Sequence, residues 1–292
     1  MGTARGPGVM PLTIIGGYLG AGKTTLVNHL LREADGLRLA VLVNEFGALP
    51  IDSDLIEGRD GNVLSIAGGC VCCSYGNDLV LTLQELAAGC GTFDHVLLEA
   101  SGVGIPSAIA ATVSLLTGYE LDGIVVLADA ETVEASAGDR YMGDTVRAQL
   151  READLVILNK ADLVDGAALA QVTSWLGDMA AGARVVQATG AKVPPELVLG
   201  SFLGRERSPS LATPGHLDVG GWQAETIDVP REIDPEAFAR SLIEAGYVRA
   251  KGFVVDQAGR RWTIQIVGRR FEITPAPPNV AMGVVGIRLR IA

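Results

Sequence analysis

The sequence contains no apolar run long enough to cross a membrane. Its longest apolar stretches are about half a dozen residues long, whereas a membrane-spanning helix needs about 20. The first residues include Arg5 and a short apolar run, but no signal-peptide pattern is recognisable among them. We therefore expect no membrane partner, and we expect a soluble, cytoplasmic protein.

Basic residues are in deficit. The chain has 23 Lys and Arg against 34 Asp and Glu, for a net charge of −11. This balance argues against nucleic acid as the main partner, because nucleic-acid binding relies on basic surfaces. Residues 1–204 carry 11 basic and 24 acidic residues, a net charge of −13, whereas residues 205–292 carry 12 and 10, a net charge of +2. The uneven distribution indicates two units.

Cysteine and histidine are scarce. Of the four cysteines, Cys70, Cys72 and Cys73 fall within four positions, and Cys90 stands alone. A disulfide scaffold would scatter its cysteines, and disulfides are rare in a reducing compartment. The cluster therefore indicates a metal or redox site. The three histidines, at positions 29, 95 and 216, are widely separated, and we expect His29 and His95 to be structural or surface residues.

Short apolar segments alternate with helical patterns over the first 200 residues. One helical pattern contains Val27, Leu30, Leu31 and Ala34, and another spans Asn77–Ala88. This alternation predicts an α/β fold, a doubly wound and mostly parallel P-loop NTPase sheet, over residues 1–204. The predicted strands are Leu12–Ile15, Leu39–Val43, Val63–Ile66, Val96–Leu98, Gly123–Leu127, Leu155–Leu158 and Arg184–Val186.

The pattern changes after a segment rich in Pro, Gly and Ser, which we interpret as a linker over residues 205–221. Residues 222–292 then predict a smaller C-terminal α+β domain. Its helix is expected to begin at Asp234 or Pro235 and to run through Ala245, with Gly246 as the C-cap. The predicted strands are Trp222–Val229, Gly252–Asp256, Trp262–Val267, Arg270–Ile273 and Gly286–Ile291.

Residues 17–24 match G-x-x-x-x-G-K-T between a predicted strand and a predicted helix. In this context the glycines allow backbone N–H groups to surround phosphate oxygens, and the helix N-terminus adds its dipole. Lys23 would reach the β- and γ-phosphates, and the Thr24 hydroxyl would coordinate Mg²⁺. The expected nucleotide contacts are Gly17, Gly20, Ala21, Gly22, Lys23, Thr24 and Thr25.

An N-K-x-D sequence, Asn159-Lys160-Ala161-Asp162, follows the predicted strand Leu155–Leu158. The Asp162 carboxylate can accept hydrogen bonds from both N1–H and the exocyclic amine of guanine, a pair of donors that adenine lacks. Lys160 can lie along the base plane. Together with the phosphate loop, these residues favour GTP over ATP.

A carboxylate is also needed beside the magnesium ion. Glu99 follows the strand Val96–Leu98 and begins Glu99-Ala100-Ser101-Gly102, so that Glu99 would hold or orient the Mg²⁺ shell and the Gly102 N–H would sense the γ-phosphate. Glu45 and Asp52 are further candidates for the Mg²⁺ shell or for positioning the attacking water. The predicted catalytic residues are Lys23, Glu99 and Glu45.

The cysteine cluster favours a soft metal ion. Thiolates suit Zn²⁺, Cu⁺ and other late transition metals, and Cys70 and Cys72 point alike if the chain is locally extended. Two or three thiolates leave room for an exchangeable ligand, which suits transfer better than storage. Buried small hydrophobes and a redox-active pair are the alternatives. Because the cluster lies between the phosphate loop and Glu99 in sequence, metal affinity and nucleotide state could be coupled.

These features together resemble the CobW family of metal-handling GTPases, relatives of the urease and hydrogenase accessory GTPases. Arg249-Ala250-Lys251-Gly252 resembles the arginine–lysine stretch of that family's C-terminal domain. The other matching segments are Gly16–Leu31, Val41–Gly47, Gly69–Cys73, Glu99–Pro106 and Leu158–Leu163.

The resemblance implies slow GTP hydrolysis coupled to delivery of a metal, usually zinc and sometimes cobalt or iron, to a client metalloprotein. It implies that Cys70, Cys72 and Cys73 are the metal ligands and that Glu45 adds an oxygen ligand. It also implies a possible homodimer. Many members carry a His-rich segment that this chain lacks, so a high-capacity buffering role is not expected.

Two other functions fit parts of the pattern. A metal-responsive regulatory switch would share every motif and differ only in the absence of metal transfer. A P-loop kinase for a small molecule would need an Arg-rich lid, and the sequence shows no such segment.

Overall fold

The computed structural model describes residues 9–33, 37–44, 63–66, 77–88, 93–200, 221–278, 280 and 282–289. The chain divides into two compact units: Met1–Ala181 with Val185–Lys192, and Gly182–Arg184 with Val193–Ala292. The domain limits expected from the sequence stay a prediction, since nearly all of the linker lies outside the described residues. Within those residues, no helix is long and apolar enough to span a membrane.

The first sheet has seven described strands. They are β1 (Met10–Gly17), β2 (Leu39–Asn44), β3 (Val63–Ile66), β4 (His95–Glu99), β5 (Tyr119–Asp129), β6 (Leu155–Asn159) and β7 (Arg184–Gln187). Their order in the sheet is β3-β2-β4-β1-β5-β6-β7. The five pairs from β3–β2 through β5–β6 are parallel.

Helices connect most of these strands, as parallel strands require. They are α1 (Lys23–Glu33), α2 (Asn77–Ala88), α3 (Pro106–Ser114), α4 (Val133–Gly138), α5 (Gly143–Arg151) and α6 (Gly166–Met179). A further helix, α7 (Pro195–Val198), follows β7 and belongs to the second unit. A parallel sheet with helical connections confirms the predicted doubly wound α/β fold.

The central strands explain why the sheet forms. All five residues of β4 and all five of β6 are buried, as expected for strands covered on both faces. Because neighbouring strands are parallel, their carboxyl ends lie at one edge of the sheet. Gly17, Glu99, Asp129 and Asn159 are the last residues of β1, β4, β5 and β6, so the fold brings these four residues to the same edge.

A buried polar cluster links three of the same strands. The Thr13 hydroxyl of β1 donates to Asp122 Oδ2 of β5 at 3.2 Å, and it therefore accepts from His95 Nε2 of β4 at 2.9 Å. All three side chains are buried. His95 is thus a structural residue, as expected from the sequence. His29 lies half-buried on α1, and His216 lies outside the described residues.

The second unit contains an antiparallel sheet with one helix against it. Its elements are β8 (Trp222–Ile227), α8 (Pro235–Glu244), β9 (Tyr247–Val255), β10 (Arg261–Val267), β11 (Arg270–Pro275) and β12 (Gly283–Leu289). The strand order is β11-β10-β9-β12-β8. Asp234 Oδ1 caps α8 by accepting from the N–H groups of Glu236 and Ala237 at 2.9 and 3.3 Å, and Gly246 follows with φ +86°. The predicted α+β domain is confirmed.

The family-like stretch Arg249–Gly252 has a structural role within this unit. Arg249 on β9 is fully buried, and its Nη1 donates to the Leu197 carbonyl of α7 at 2.9 Å. A Cβ atom at Gly252 would lie 2.1 Å from the Gly283 carbonyl oxygen of β12, a separation that only glycine allows. The stretch therefore fixes α7 and the β9–β12 pairing.

Asp256 organises the turn between β9 and β10. Its carboxylate accepts from Trp262 Nε1 at 2.9 Å, from Arg260 Nε at 2.7 Å, and from the backbone N–H groups of Ala258 and Arg260. These hydrogen bonds, that from Trp262 first, lower the pKa of Asp256 from 3.8 to about 2 because they favour its charged form.

We predict that Asp256→Asn lowers the free energy of unfolding at pH 7 and that its deficit shrinks in acid. Since the folded-state pKa is depressed, the stabilisation is complete above about pH 4 and is lost as the pH falls toward 2. Urea unfolding between pH 7 and pH 2.5 measures this difference. Asp228→Asn, at an exposed carboxylate of the same unit, is the control. A deficit that stayed constant over this range would contradict the prediction.

Candidate nucleotide site

The phosphate loop joins the end of β1 to the start of α1. Gly17, Gly20 and Gly22 have φ angles of +133°, +77° and +104°, a backbone region that residues with a side chain rarely adopt. The Ala21 N–H donates to the Tyr18 carbonyl at 3.2 Å, closing the turn before the helix begins at Lys23. The backbone of this loop therefore has the strand–loop–helix form that its sequence predicted.

Two of these glycines are also required by close packing. A Cβ atom at Gly17 would lie 2.5 Å from the Leu127 carbonyl oxygen, and one at Gly22 would lie 2.4 Å from Asn159 Nδ2. At Gly20 a Cβ atom would meet nothing within 4 Å. Gly17 and Gly22 thus allow the loop to lie directly against β5 and the end of β6.

Lys23 and Thr24 begin the helix that follows the phosphate loop, and Thr24 contacts the end of β4. Lys23 is buried, and its Nζ lies 3.5 Å from the Tyr18 carbonyl oxygen. The Thr24 hydroxyl donates to Glu99 Oε1 at 3.0 Å, and Glu99 is also buried. A hydroxyl and a carboxylate in contact are the oxygen donors that Mg²⁺ prefers, so this pair fits the expected magnesium site. Thr25 lies exposed on the next position of α1.

The loop after β4 places Gly102 against the phosphate loop. The Ala100 N–H donates to the Ile15 carbonyl at 2.8 Å, and the Gly104 N–H donates to the Ser101 carbonyl at 2.8 Å. A Cβ atom at Gly102 would lie 2.5 Å from Leu19 Cδ2 and 3.1 Å from the Leu19 nitrogen. Gly102 therefore packs directly on the phosphate loop.

Asn159 connects the phosphate loop with a second loop. Its Nδ2 donates to the Ala21 carbonyl at 3.0 Å, and its Oδ1 accepts from the Ala191 N–H at 2.7 Å. The sequence predicts Asn159 as a nucleotide contact, and in the structure its amide joins the phosphate loop to the loop after β7. Ala191 belongs to the loop after β7, and it has φ +55°.

The turn that contains Lys160 and Asp162 is the one that the sequence predicts to recognise the base, and we call it the base-recognition turn. Lys160 has φ +60°, and its Nζ lies 2.6 Å from Asp129 Oδ2. Asp162 lies exposed in a 3-10 turn, Ala161–Leu163. The Ala161 N–H donates to the Ala188 carbonyl at 3.1 Å, so the turn lies beside the loop that carries Ala191.

Three contributors to the site were missed in the sequence. Asp129 fixes Lys160, residues 188–191 lie beside the base-recognition turn, and Gln149 of α5 donates to the carbonyls of Gly102 and Gly104. Asp129 is the last residue of β5 and residues 188–191 follow β7, so their place after predicted strands was an available signal. Gln149 had no such signal, because it lies on a helix.

A cleft borders the phosphate loop. Tyr18, Leu19 and Ala21 form one wall, and the end of β5 with residues of α4 and α5 forms the rest. Gln149 also lines it.

The metal-ligand predictions and two carboxylate predictions lie outside the described residues. These are Cys70, Cys72, Cys73, Glu45 and Asp52. Among the residues that the structure describes, no group of three or more His, Cys, Asp or Glu side chains is placed to hold a metal ion.

We predict that Gly22→Ala destabilises the protein more than Gly20→Ala. Both positions have positive φ, which costs about 1–2 kcal/mol for a non-glycine residue, but only at Gly22 would the new methyl group collide with Asn159. Thermal unfolding of both variants without nucleotide measures the difference. Equal losses would show that the approach of Asn159 does not require a glycine at position 22.

Comparison with known proteins shows the family to which the chain is similar. Residues 11–187 match the family model described as CobW/HypB/UreG, nucleotide-binding domain. The "Zinc chaperone CobW" of Pseudomonas aeruginosa is 31% identical, with 90% of this chain and 82% of that protein covered. The protein of the same name from Sinorhizobium sp is 29% identical, with 93% and 89% covered.

A solved structure shows the same fold over nearly the whole chain. The Zn(II)-bound YjiA GTPase from E. coli has a TM-score of 0.52 and 21% sequence identity, with 97% of this chain and 95% of that chain covered. We conclude that the chain belongs to the CobW/HypB/UreG family, as the sequence resemblance predicted, and that its identification as a GTPase is confirmed.

Proposed function

We propose that this chain is a metallochaperone that couples GTP hydrolysis to the delivery of a transition metal ion, zinc before cobalt or iron, to a client metalloprotein. One observation carries the proposal. A GTPase site at the carboxyl edge of the sheet accompanies a Cys-x-Cys-Cys sequence that lies in the chain between β3 and α2. The relatives named zinc chaperones support zinc as the cargo.

The phosphate end of the site supplies the hydrolysis machinery. The N–H groups of residues 20–25 and the Lys23 ammonium would bind the phosphates, and Gly102 N–H would meet the γ-phosphate. Thr24 and Glu99 would hold Mg²⁺, directly or through its water shell, since their side-chain oxygens lie 3.0 Å apart. When bound, Mg²⁺ neutralises charge on the β- and γ-phosphate oxygens. Glu45 would add a ligand or position the attacking water.

The base end supports GTP as the nucleotide. Asp129 fixes the Lys160 ammonium, which would lie along the base. The exposed Asp162 carboxylate would accept hydrogen bonds from guanine N1–H and the exocyclic amine. Because residues 1–204 have a net charge of −13, no general basic field attracts the nucleotide, and these local contacts with Mg²⁺ must provide the affinity.

The cargo site would consist of the thiolates of Cys70, Cys72 and Cys73. The strand that precedes them, β3, runs parallel to β2, which is parallel to β4. The chain therefore leaves β3 at the same edge of the sheet where Glu99 ends β4. This topology supports coupling between metal affinity and the γ-phosphate. We also propose that residues 222–292 help to select the client.

We predict that replacing Cys70, Cys72 and Cys73 with Ser removes about one bound zinc ion per chain, because a hydroxyl is a much poorer zinc ligand than a thiolate. Equilibrium dialysis with Zn²⁺ measures this loss, and GTP affinity measured without zinc should remain unchanged. Cys90→Ser is the matched control, since Cys90 stands apart from the cluster. Equal zinc stoichiometry in the triple variant and the wild type would refute the cargo site.

A zinc-transfer assay distinguishes the metallochaperone function from that of a metal-responsive regulatory switch. Labelled zinc that reaches a client apoprotein only while GTP is hydrolysed supports delivery. Retention of the zinc through many turnovers would favour the switch.

We predict that Asp162→Asn weakens GTP binding about 10- to 100-fold, since hydrogen bonds to a charged group contribute about 1.5–3 kcal/mol. The same variant should gain affinity for xanthosine triphosphate, whose C2 carbonyl can accept from the new amide. Competition between the two nucleotides measures the change. Asp165→Asn is the control, because Asp165 caps α6 through the Ala168 N–H. If both variants kept the wild-type preference for GTP over xanthosine triphosphate, the proposed recognition of guanine by Asp162 would be wrong.

A further inference from the structure

Gln149 is a buried amide that no motif of the sequence explains. It lies on α5, and its Nε2 donates to the Gly104 carbonyl at 2.7 Å and to the Gly102 carbonyl at 3.2 Å. Both carbonyls belong to the loop that follows Glu99. One NH₂ group thus serves two acceptors of the same loop.

The ends of this loop are held by other contacts. At the start, the Ala100 N–H donates to the Ile15 carbonyl at 2.8 Å. At the far end, the Ser107 N–H donates to Glu152 Oε2 at 2.9 Å. Gln149 therefore acts on the middle of the loop, between two anchored ends.

Within the middle of the loop, the Gly104 N–H donates to the Ser101 carbonyl at 2.8 Å and the Val103 N–H donates to Ser101 Oγ at 3.3 Å. Gln149 adds a contact to this turn from another element. Gly102 is a glycine, so its backbone dihedral angles have more freedom than those of any other residue. Leu19 packs against one side of it, and Gln149 holds its carbonyl. Fixing the carbonyl limits rotation about the Gly102 backbone, and so it limits the directions in which the Gly102 N–H can point.

We propose that Gln149 is a positioning residue for GTP hydrolysis, which aims the Gly102 N–H at the γ-phosphate by holding the carbonyls of Gly102 and Gly104. This inference rests on the proposed contact between Gly102 and the γ-phosphate. A donor fixed in advance stabilises developing charge without having to be ordered during the reaction. GDP has no γ-phosphate, so its binding does not use this arrangement.

The test replaces the amide in two ways. Gln149→Met keeps the length and removes the donors, and Gln149→Glu keeps the shape and places a carboxylate against two carbonyl oxygens. We expect kcat for GTP to fall about tenfold or more in both, since two hydrogen bonds are lost. Affinity for a fluorescent GDP should stay within about twofold of wild type, while affinity for a non-hydrolysable GTP analogue falls.

Val172→Ala is the stability control, because it removes buried volume on α6, a different helix from the one that carries Gln149. Turnover of Gln149→Met within about twofold of wild type would overturn the proposal. So would parallel losses of GDP and GTP-analogue affinity together with the melting temperature, as expected of a residue that only supports the fold.

Gly102→Pro separates this inference from the function on which it rests, because proline has no backbone N–H to offer the γ-phosphate. If Gly102→Pro keeps full turnover, the γ-phosphate contact itself is wrong. If Gly102→Pro is slow and Gln149→Met is not, only the role of Gln149 fails. All assays use Mg²⁺ and GTP without zinc, so the outcome of metal transfer does not affect them.

A spectroscopic measurement on the wild type covers the case in which the Gln149 variants do not fold. The side-chain amide protons of Gln149 should exchange with solvent more slowly with the GTP analogue than with GDP. Equal exchange in the two states would contradict the proposal.

Discussion

The nucleotide site depends on the side chain of Asn159. One end of its amide holds the phosphate loop at Ala21, and the other end holds the loop after β7 at Ala191. The approach is so close that residue 22 must be glycine. Because an unbonded amide would be costly in this buried position, the two loops and the end of β6 form one arrangement. The spacing between the phosphate and base ends of the site follows from it.

The sequence predicted the strands well because burial on both faces leaves a plain apolar signal. β6 and β4 differ from their predicted limits only by terminal residues. By contrast, β5 begins at Tyr119, four residues before the predicted start. The first residues of β5 include Glu120 and Asp122, two charged residues that are typical of a loop. Asp122 is nevertheless buried, and it accepts a hydrogen bond from the Thr13 hydroxyl. That partner lies more than 100 residues away, and no local pattern reveals it.

The candidate site likewise contains residues that the sequence predicted and residues that only the structure reveals. The phosphate loop and the N-K-A-D turn are recognisable because each is a short continuous segment whose chemistry requires particular residues. Asp129 and Gln149 act through partners from other elements, the Lys160 ammonium and the Gly102 carbonyl. Their roles follow from tertiary contacts, which a single sequence does not contain. The metal-ligand prediction at Cys70, Cys72 and Cys73 rests on sequence alone.

The backbone of Lys160 shows a stability–activity trade-off. A left-handed conformation costs a residue with a side chain about 1–2 kcal/mol, and glycine would adopt it without that cost. Glycine, however, would leave Asp129 without its ion-pair partner and the base without an ammonium group beside it. At this one position, the residue that would best suit the fold differs from the residue that the proposed chemistry requires.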